Sequence, residues 1–165
     1  MLPETFAENS SAARLDRGLA GAIVEARQAH GETTLYIDPA RIGDVCRFLK
    51  EELGFNRLSA VTCVDWHPSA PRFEVVYHLH ALHHEAKRHE RLRLKCRLAE
   101  GQPIDSVYGI WRSADWYERE VFDLFGVEFR NHPNLTRILM PLDWQGHPLR
   151  KDYPVHGYRY SYKDE

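Results

Sequence analysis

Two runs decide the architecture: Phe73-Glu74-Val75-Val76-Tyr77-His78-Leu79-His80-Ala81 and Arg91-Leu92-Arg93-Leu94-Lys95-Cys96-Arg97-Leu98. In the first, Phe73, Val75, Tyr77, Leu79 and Ala81 fall on one side. In the second, Leu92, Leu94, Cys96 and Leu98 alternate with Arg91, Arg93, Lys95 and Arg97. Side chains of an extended chain point to opposite faces in turn, so a period of two over this length marks strands with one dry face and one wet face. Antiparallel sheets tolerate that arrangement. The polar stretch from His83 to His89 joins the two as a hairpin.

Upstream, the β-branched and aromatic run from Leu58 to Trp66 reads as a strand, ended by a turn around His67-Pro68-Ser69 and Pro71. Asp38 is placed to cap a helix with Pro39 in its first turn and Gly54 beyond its end. Its apolar face is Ile42, Val45, Cys46, Leu49 and Leu53. Thr34 to Ile37 is a short strand. A first helix is expected from about Ser11 to Gly31, because Leu15, Leu19, Ala22, Ile23 and Ala26 recur at helical spacing. Downstream, a third helix is expected over about Ser113–Phe125, capped by Ser113 and stopped by Gly126, with Tyr117, Val121, Leu124 and Phe125 inward. Asp115, Arg119 and Asp123, four apart, would form one charged rung in which Arg119 pairs both carboxylates. The fold class is α+β: helices on one face of a mostly antiparallel or mixed sheet.

After Gly126 the pattern changes. The last residues hold four of the nine prolines and half of the eight tyrosines. Proline at that density forbids a long helix or a central strand, yet Trp144 and the tyrosines need burial on this domain or on another chain. The expected organisation is an α+β domain over 1–126 and an extended, irregular, partner-binding segment over 127–165.

At 165 residues, with a formal charge of −2 and a mean hydropathy of −0.54, the chain makes one domain. No strong field draws nucleic acid or an anionic membrane, and no apolar run approaches the roughly 20 residues of a spanning helix. The start of the chain lacks the pattern of a secretory signal. Three scattered cysteines, Cys46, Cys63 and Cys96, suit a reducing compartment and offer no zinc or iron–sulfur motif.

Several constellations have a functional and a plainer meaning. His78, His80, His83, His84 and His89 resemble a metal site, but only two share a strand face and Cys96 lies on the opposite one; a polar strand beside an exposed loop is the plainer meaning. The Arg91–Arg97 stripe lacks the interleaved aromatics of a single-strand binder and reads as a solvated or salt-bridging face. Glu118 and Glu120 point in different directions on a helix and cannot share a site. No nucleophile triad, phosphate loop or dinucleotide motif is present. The dense mix of Glu118, Arg119, Glu120, Asp123, Arg137, Arg150, Lys151 and Asp152 with Trp144 and tyrosines has the residue types of an interface.

The stretch Glu118-Arg119-Glu120-Val121-Phe122-Asp123-Leu124-Phe125-Gly126-Val127, then His132-Pro133-Asn134-Leu135, Arg137-Ile138-Leu139-Met140-Pro141 and Gly146-His147-Pro148-Leu149-Arg150-Lys151-Asp152-Tyr153-Pro154, resembles the 30 kDa (C) subunit family of the proton-pumping NADH–quinone oxidoreductase, respiratory complex I. The resemblance extends to Arg72–Tyr77 and Val107–Trp111. Thr136 departs from the basic residue usual at that place. The resemblance implies a member of the hydrophilic arm with no catalytic residue, metal or redox cofactor of its own, FMN and the Fe–S clusters lying in partner subunits. It implies packing against the 49 kDa-type (D) subunit near the quinone module, with the B and I subunits as neighbours. The location implied is peripheral, on the cytoplasmic side of the bacterial inner membrane or its organelle equivalent. The interface residues it points to are Glu118, Arg119, Glu120, Asp123, Gly126, His132, Pro133, Arg137, His147, Arg150, Lys151, Asp152 and Tyr153. Ferredoxin-dependent, F420-dependent and hydrogenase-type relatives carry equivalent subunits and remain open. So does a different class, a stand-alone metal- or nucleic-acid-binding module.

Overall fold

The structure is a computed structural model that describes residues 10–83 and 88–157. The tip of the expected hairpin, with His84, and Tyr158, Tyr160 and Tyr162 lie outside the described residues. The elements in chain order are α1 (Ser11–Gly18), β1 (Ile23–Ala29), β2 (Glu32–Ile37), α2 (Ile42–Glu51), β3 (Arg57–Asp65), β4 (Phe73–His83), β5 (Arg88–Leu98), β6 (Ile104–Asp105), α3 (Ala114–Phe125) and β7 (Phe129–Arg130).

The two alternating runs pair antiparallel from Phe73↔Leu98 to His83↔Arg88, so the strands run further toward the tip than expected. They form the centre of a five-stranded sheet ordered β1-β2-β5-β4-β3. The β2–β5 pair is parallel and the other pairs are antiparallel, which makes the sheet mixed. The inward set, including Val75, Tyr77, Leu79, Leu94, Cys96 and Leu98, packs with Leu15 of α1, Val45 and Leu49 of α2, and Val121 and Leu124 of α3 in one core. All three helices therefore cover one face. The other face holds the arginine stripe, neutralised by carboxylates of neighbouring strands: Arg93 by Glu32, and Lys95 and Arg97 by the buried Glu74.

The first helix is a correction. It ends at Gly18, and Ile23–Ala29 is an edge strand rather than a continuation. The helical spacing of Ala22, Ile23 and Ala26 is a coincidence of composition. Gly21, at φ +77°, turns the chain out of the helix. His30 and Gly31, both at positive φ, form the two-residue turn joining β1 to β2, with Ala29 paired to Glu32. Gly31 is thus a hairpin residue, not a helix stop. Asp38 does cap as expected, its Oδ1 accepting from the N–H of Ala40, but the first turn is a short 3₁₀ turn over Pro39–Arg41 before α2 begins. Ser113 does not cap α3, because its hydroxyl donates instead to the carbonyl of Leu58.

The core does not stop at Gly126. Val127 and Phe129 are buried in it, and β7 pairs in parallel with β6. Beyond Asn131, residues 132–157 form successive turns with neither helix nor strand.

Candidate functional site

An α-helix leaves its last four carbonyls without an intrahelical partner, and its C-terminal end carries partial negative charge. At the end of α3 all four are met. The Phe122 carbonyl accepts from the N–H of Gly126 at 2.8 Å, and that of Leu124 accepts from the N–H of Leu149 at 3.1 Å. The Asp123 carbonyl lies 2.9 Å from His147 Nδ1 and accepts from Arg137 Nη1 at 3.3 Å. The Phe125 carbonyl accepts from Arg150 Nε at 2.6 Å. Two guanidinium groups from the irregular segment therefore close the helix where cations are favoured, and the imidazole of His147, its pKa lowered by burial, closes it beside them.

The Asp123 side chain extends the same lock. It is fully buried. Its Oδ2 accepts from the successive N–H groups of Ile138, Leu139 and Met140 at 2.9, 2.8 and 2.8 Å, and its Oδ1 from Arg137 Nη1 at 2.7 Å. Burial pushes the carboxyl up, but the three N–H groups and the guanidinium outweigh it and hold it below its ordinary range. Arg137 also donates to the carbonyl of Gly146. One carboxylate thus fixes a loop that has no regular hydrogen bonding of its own. Gly126 is required twice over: it sits at φ +74°, and a Cβ there would lie 2.6 Å from both His147 and Arg150.

Arg119 corrects the expected rung. Its Nε and Nη2 donate to the carbonyls of Thr136 and Arg137 at 3.1 and 3.2 Å, so it braces the same loop and pairs neither Asp115 nor Asp123. The backbone of 136–137 passes over α3 and supplies acceptors nearer than the carboxylates. Glu120 is exposed and has no ion pair among the described residues. Glu118, by contrast, is fully buried, accepting from Ser106 Oγ at 2.5 Å and from the N–H of Val107 at 2.7 Å. Burial pushes its carboxyl up to about 7 against those two hydrogen bonds, with Asp115 adding to the rise. The His132 ring is also buried. Its Nδ1 accepts from the N–H of Asn134, which leaves the proton on Nε2, directed at the carbonyl of Asp115 (3.3 Å) and at Asp115 Oδ1 (3.4 Å). Pro133 follows it on the exposed side of the turn.

A second lock lies at the far end of the segment, on residues that spacing does not connect. Arg72 is buried and holds three carboxylates: Asp65 through Nε and Nη2 (3.1 and 3.0 Å), Glu100 through Nη1 (3.1 Å), and Asp152 through Nη1 and Nη2 (3.0 and 2.5 Å). The Lys151 N–H donates to Asp65 at 2.9 Å, and Arg150 pairs with Glu100 at 3.1 Å. Burial raises the Asp65 carboxyl, but Arg72 and the N–H groups of Lys151 and His67 hold it down at about 2. Asp152 is likewise lowered by Arg72. The signal that could have found this lock is Asp65 itself, a carboxylate at an inward position of β3 after Val61 and Cys63. The Tyr153 hydroxyl donates to the carbonyl of Gln145 at 3.2 Å, bracing the last turn.

Most of the predicted residues thus lie in or against the two locks; Glu120 and Pro133 are exposed, and Glu118 binds the turn before α3. Fixed by the two locks, the irregular segment turns Leu139, Leu142, Leu149 and Val155 outward, at 56, 85, 51 and 96% exposure. Large apolar side chains on a rigid frame are the makings of a contact surface. Among the described residues, no group of three or more His, Cys, Asp and Glu side chains is arranged to hold a metal, and no helix is long and apolar enough to cross a membrane.

Comparison with known proteins gives this unit a context. Residues 35–159 match the family described as respiratory-chain NADH dehydrogenase, 30 Kd subunit. The chain is 46% identical over 154 residues to the NADH-quinone oxidoreductase C subunit of Geotalea uraniireducens, covering 92% of each chain. It is 47% identical over 155 residues to the equivalent C subunit of Geobacter sulfurreducens, covering 92% of this chain and 93% of that one. Among solved structures, a trypsin-resistant fragment of Nqo5 shares 29% identity at a TM-score of 0.61, over 67% of this chain and 88% of the fragment. A chain of an archaeal membrane-bound sulfane sulfur reductase shares the fold, at a TM-score of 0.68 and 24% identity over 87% of this chain and 84% of that one.

Proposed function

Because the chain belongs to the respiratory-chain NADH dehydrogenase 30 Kd subunit family, whose members include the C subunits of NADH-quinone oxidoreductase, we propose that it is a non-catalytic structural member of the hydrophilic arm. In this reading it packs against the 49 kDa-type subunit near the quinone module, with the B and I subunits close by. FMN and the Fe–S clusters lie in those and other partners, and electron transfer from NADH to quinone belongs to the assembly. The chain reaches the membrane's cytoplasmic face only through its neighbours.

The observation that carries this reading is the lock on α3. An irregular segment joining a partner normally loses conformational entropy on docking, at about 0.5–1.5 kcal/mol for each side chain immobilised. Here Asp123, Arg137, His147 and Arg150 fix the segment beforehand, so its outward leucines meet a partner already placed. Purification of the tagged full chain from solubilised membranes tests the proposal. The 49 kDa-type subunit and NADH:quinone reductase activity should co-purify with it. A tagged chain recovered alone, with NADH:quinone reductase activity surviving in membranes of a separate deletion strain, would overturn the role.

A further inference from the structure

Lys50 at the end of α2, Arg57 at the start of β3 and Arg112 just before α3 stand around a concave site of about 450 Å³. Leu58 and Trp111 lie beneath it, both buried, and Ile110 and Tyr117 flank them. None of the charged residues that hold the irregular segment in either lock lines this hollow.

Its charge sets it apart. On the open face of the sheet every cation of the β5 stripe has a carboxylate within ion-pair distance, Glu32 for Arg91 and Arg93, and Glu74 for Lys95 and Arg97. Around the hollow none of the three cations has one among the described residues. Lys50 is anchored on the carbonyl of Ile110, and Arg112 lies 4.5 Å from the centre of the Tyr108 ring; neither contact cancels a charge. The other polar groups are divided. The Asn56 amide is spent on the backbone of Leu82, and the Ser113 hydroxyl donates to Leu58. The Tyr117 hydroxyl has no hydrogen bond among the described residues and remains a spare donor. A concavity with low-dielectric walls concentrates the field of the charges on its rim. Three cations with no counter-charge among the described residues make the hollow a site suited to anionic groups.

We propose that this hollow is the docking point for an acidic segment of a neighbouring protein chain, its Asp or Glu carboxylates meeting Lys50, Arg57 and Arg112. Three cations on three separate stretches of chain suit several carboxylates of one peptide better than a single small inorganic anion, and a concave site suits a protruding segment better than a lipid surface. The inference deepens the reading of the chain as part of a larger assembly and rests on it.

The test is zero-length carbodiimide coupling in the purified membrane complex, which joins an amine to a carboxylate in direct contact. Peptide mass spectrometry should find Lys50 coupled to an Asp or Glu of another protein of the complex. Arg57→Glu combined with Arg112→Glu should lower that yield and weaken retention of the chain at raised salt roughly tenfold, the scale of two exposed charge pairs. Lys50 left uncoupled, or coupled only within its own chain, while the chain stays in the complex, would overturn the inference and leave the structural role standing. Failure to recover the chain with any other protein of the complex would instead remove the role beneath it. Sedimentation of the full chain with phosphatidylglycerol vesicles, abolished in the same double variant, would assign the hollow to a membrane surface and likewise overturn the inference.

Discussion

Asp123 and Arg137, 14 positions apart, form the ion pair on which the irregular segment turns: Nη1 lies 2.7 Å from Oδ1, with the carboxylate fully buried. The same carboxylate gathers three successive backbone N–H groups. Removing one member of a buried pair strands the other, at about 3–5 kcal/mol. Asp123→Ala should therefore destabilise the chain by that amount in urea unfolding and expose residues 137–147 to protease. Asp123→Asn, which keeps an acceptor but loses the charge, should fall between.

Gly126→Ala tests the helix end separately. A non-glycine residue at left-handed φ costs about 1–2 kcal/mol, and here the new methyl must also displace His147 and Arg150. Gly101 has the same φ, +74°, with nothing within 4 Å of a Cβ. Gly101→Ala should thus show the backbone cost alone, and Gly126→Ala a clearly larger loss. Equal losses in chemical unfolding would mean that the packing of the imidazole and the guanidinium on the helix end contributes nothing.

Glu118 predicts a pH dependence. Its carboxyl is raised from 4.5 to about 7 in the fold, so the folded chain keeps a proton that the unfolded chain releases. Its contribution to stability is complete below about pH 4.5, falls as pH rises toward 7 and is gone above it, an effect of at most roughly 3 kcal/mol. Facing it are Ser106 and Val107 from the turn before α3, Asp115 from its own helix and His132 from the turn after β7. Glu118→Gln should flatten the difference between unfolding at pH 5 and at pH 8. An unchanged profile would assign the dependence to other groups.

Arg72 predicts the opposite slope. Asp65, held at about 2 from an ordinary 3.8, adds stability that is present above pH 3.8 and lost as pH falls through about 2. Arg72→Met should remove that acid-side loss while costing about 3–5 kcal/mol near neutrality, because Asp65 is left buried and unpaired. Hydrogen exchange at the Lys151 amide, which Asp65 holds, should quicken in the same variant.

The sheet was legible because period-two alternation reports burial directly, as did the inward faces of α2 and α3. Ile23–Ala29 was not, since an edge strand of mixed exposure imitates a weak helix when Leu15, Leu19 and Ala22 precede it at helical spacing. The turn at His30-Gly31 needed the positive φ of a histidine, which residue type alone does not announce. At the site, identity was legible and partnership was not. Asp123, Arg137 and Arg150 stood out as charged residues near aromatics, and His147 only through the family resemblance, yet their shared task, closing the end of α3, depends on a chain reversal that no local pattern encodes. Arg119 shows the same limit: helical spacing offered it Asp115 and Asp123, while the fold offered it two carbonyls from a distant loop. In the Asp65–Arg72–Glu100–Asp152 group, Arg72 and Asp152 lie 80 positions apart, beyond the reach of any spacing rule.

The most direct measurement of the proposed role is Leu139→Asp with Leu142→Asp, two outward side chains held by the lock but engaged in none of its side-chain contacts. Surface substitutions of this kind change stability within about 0.5 kcal/mol each, so urea unfolding of the isolated chain should be nearly unaltered. Native-gel analysis of membranes should show the chain lost from the oxidoreductase complex. Wild-type incorporation of this well-folded variant would contradict the role assigned to the irregular segment as a preformed docking surface.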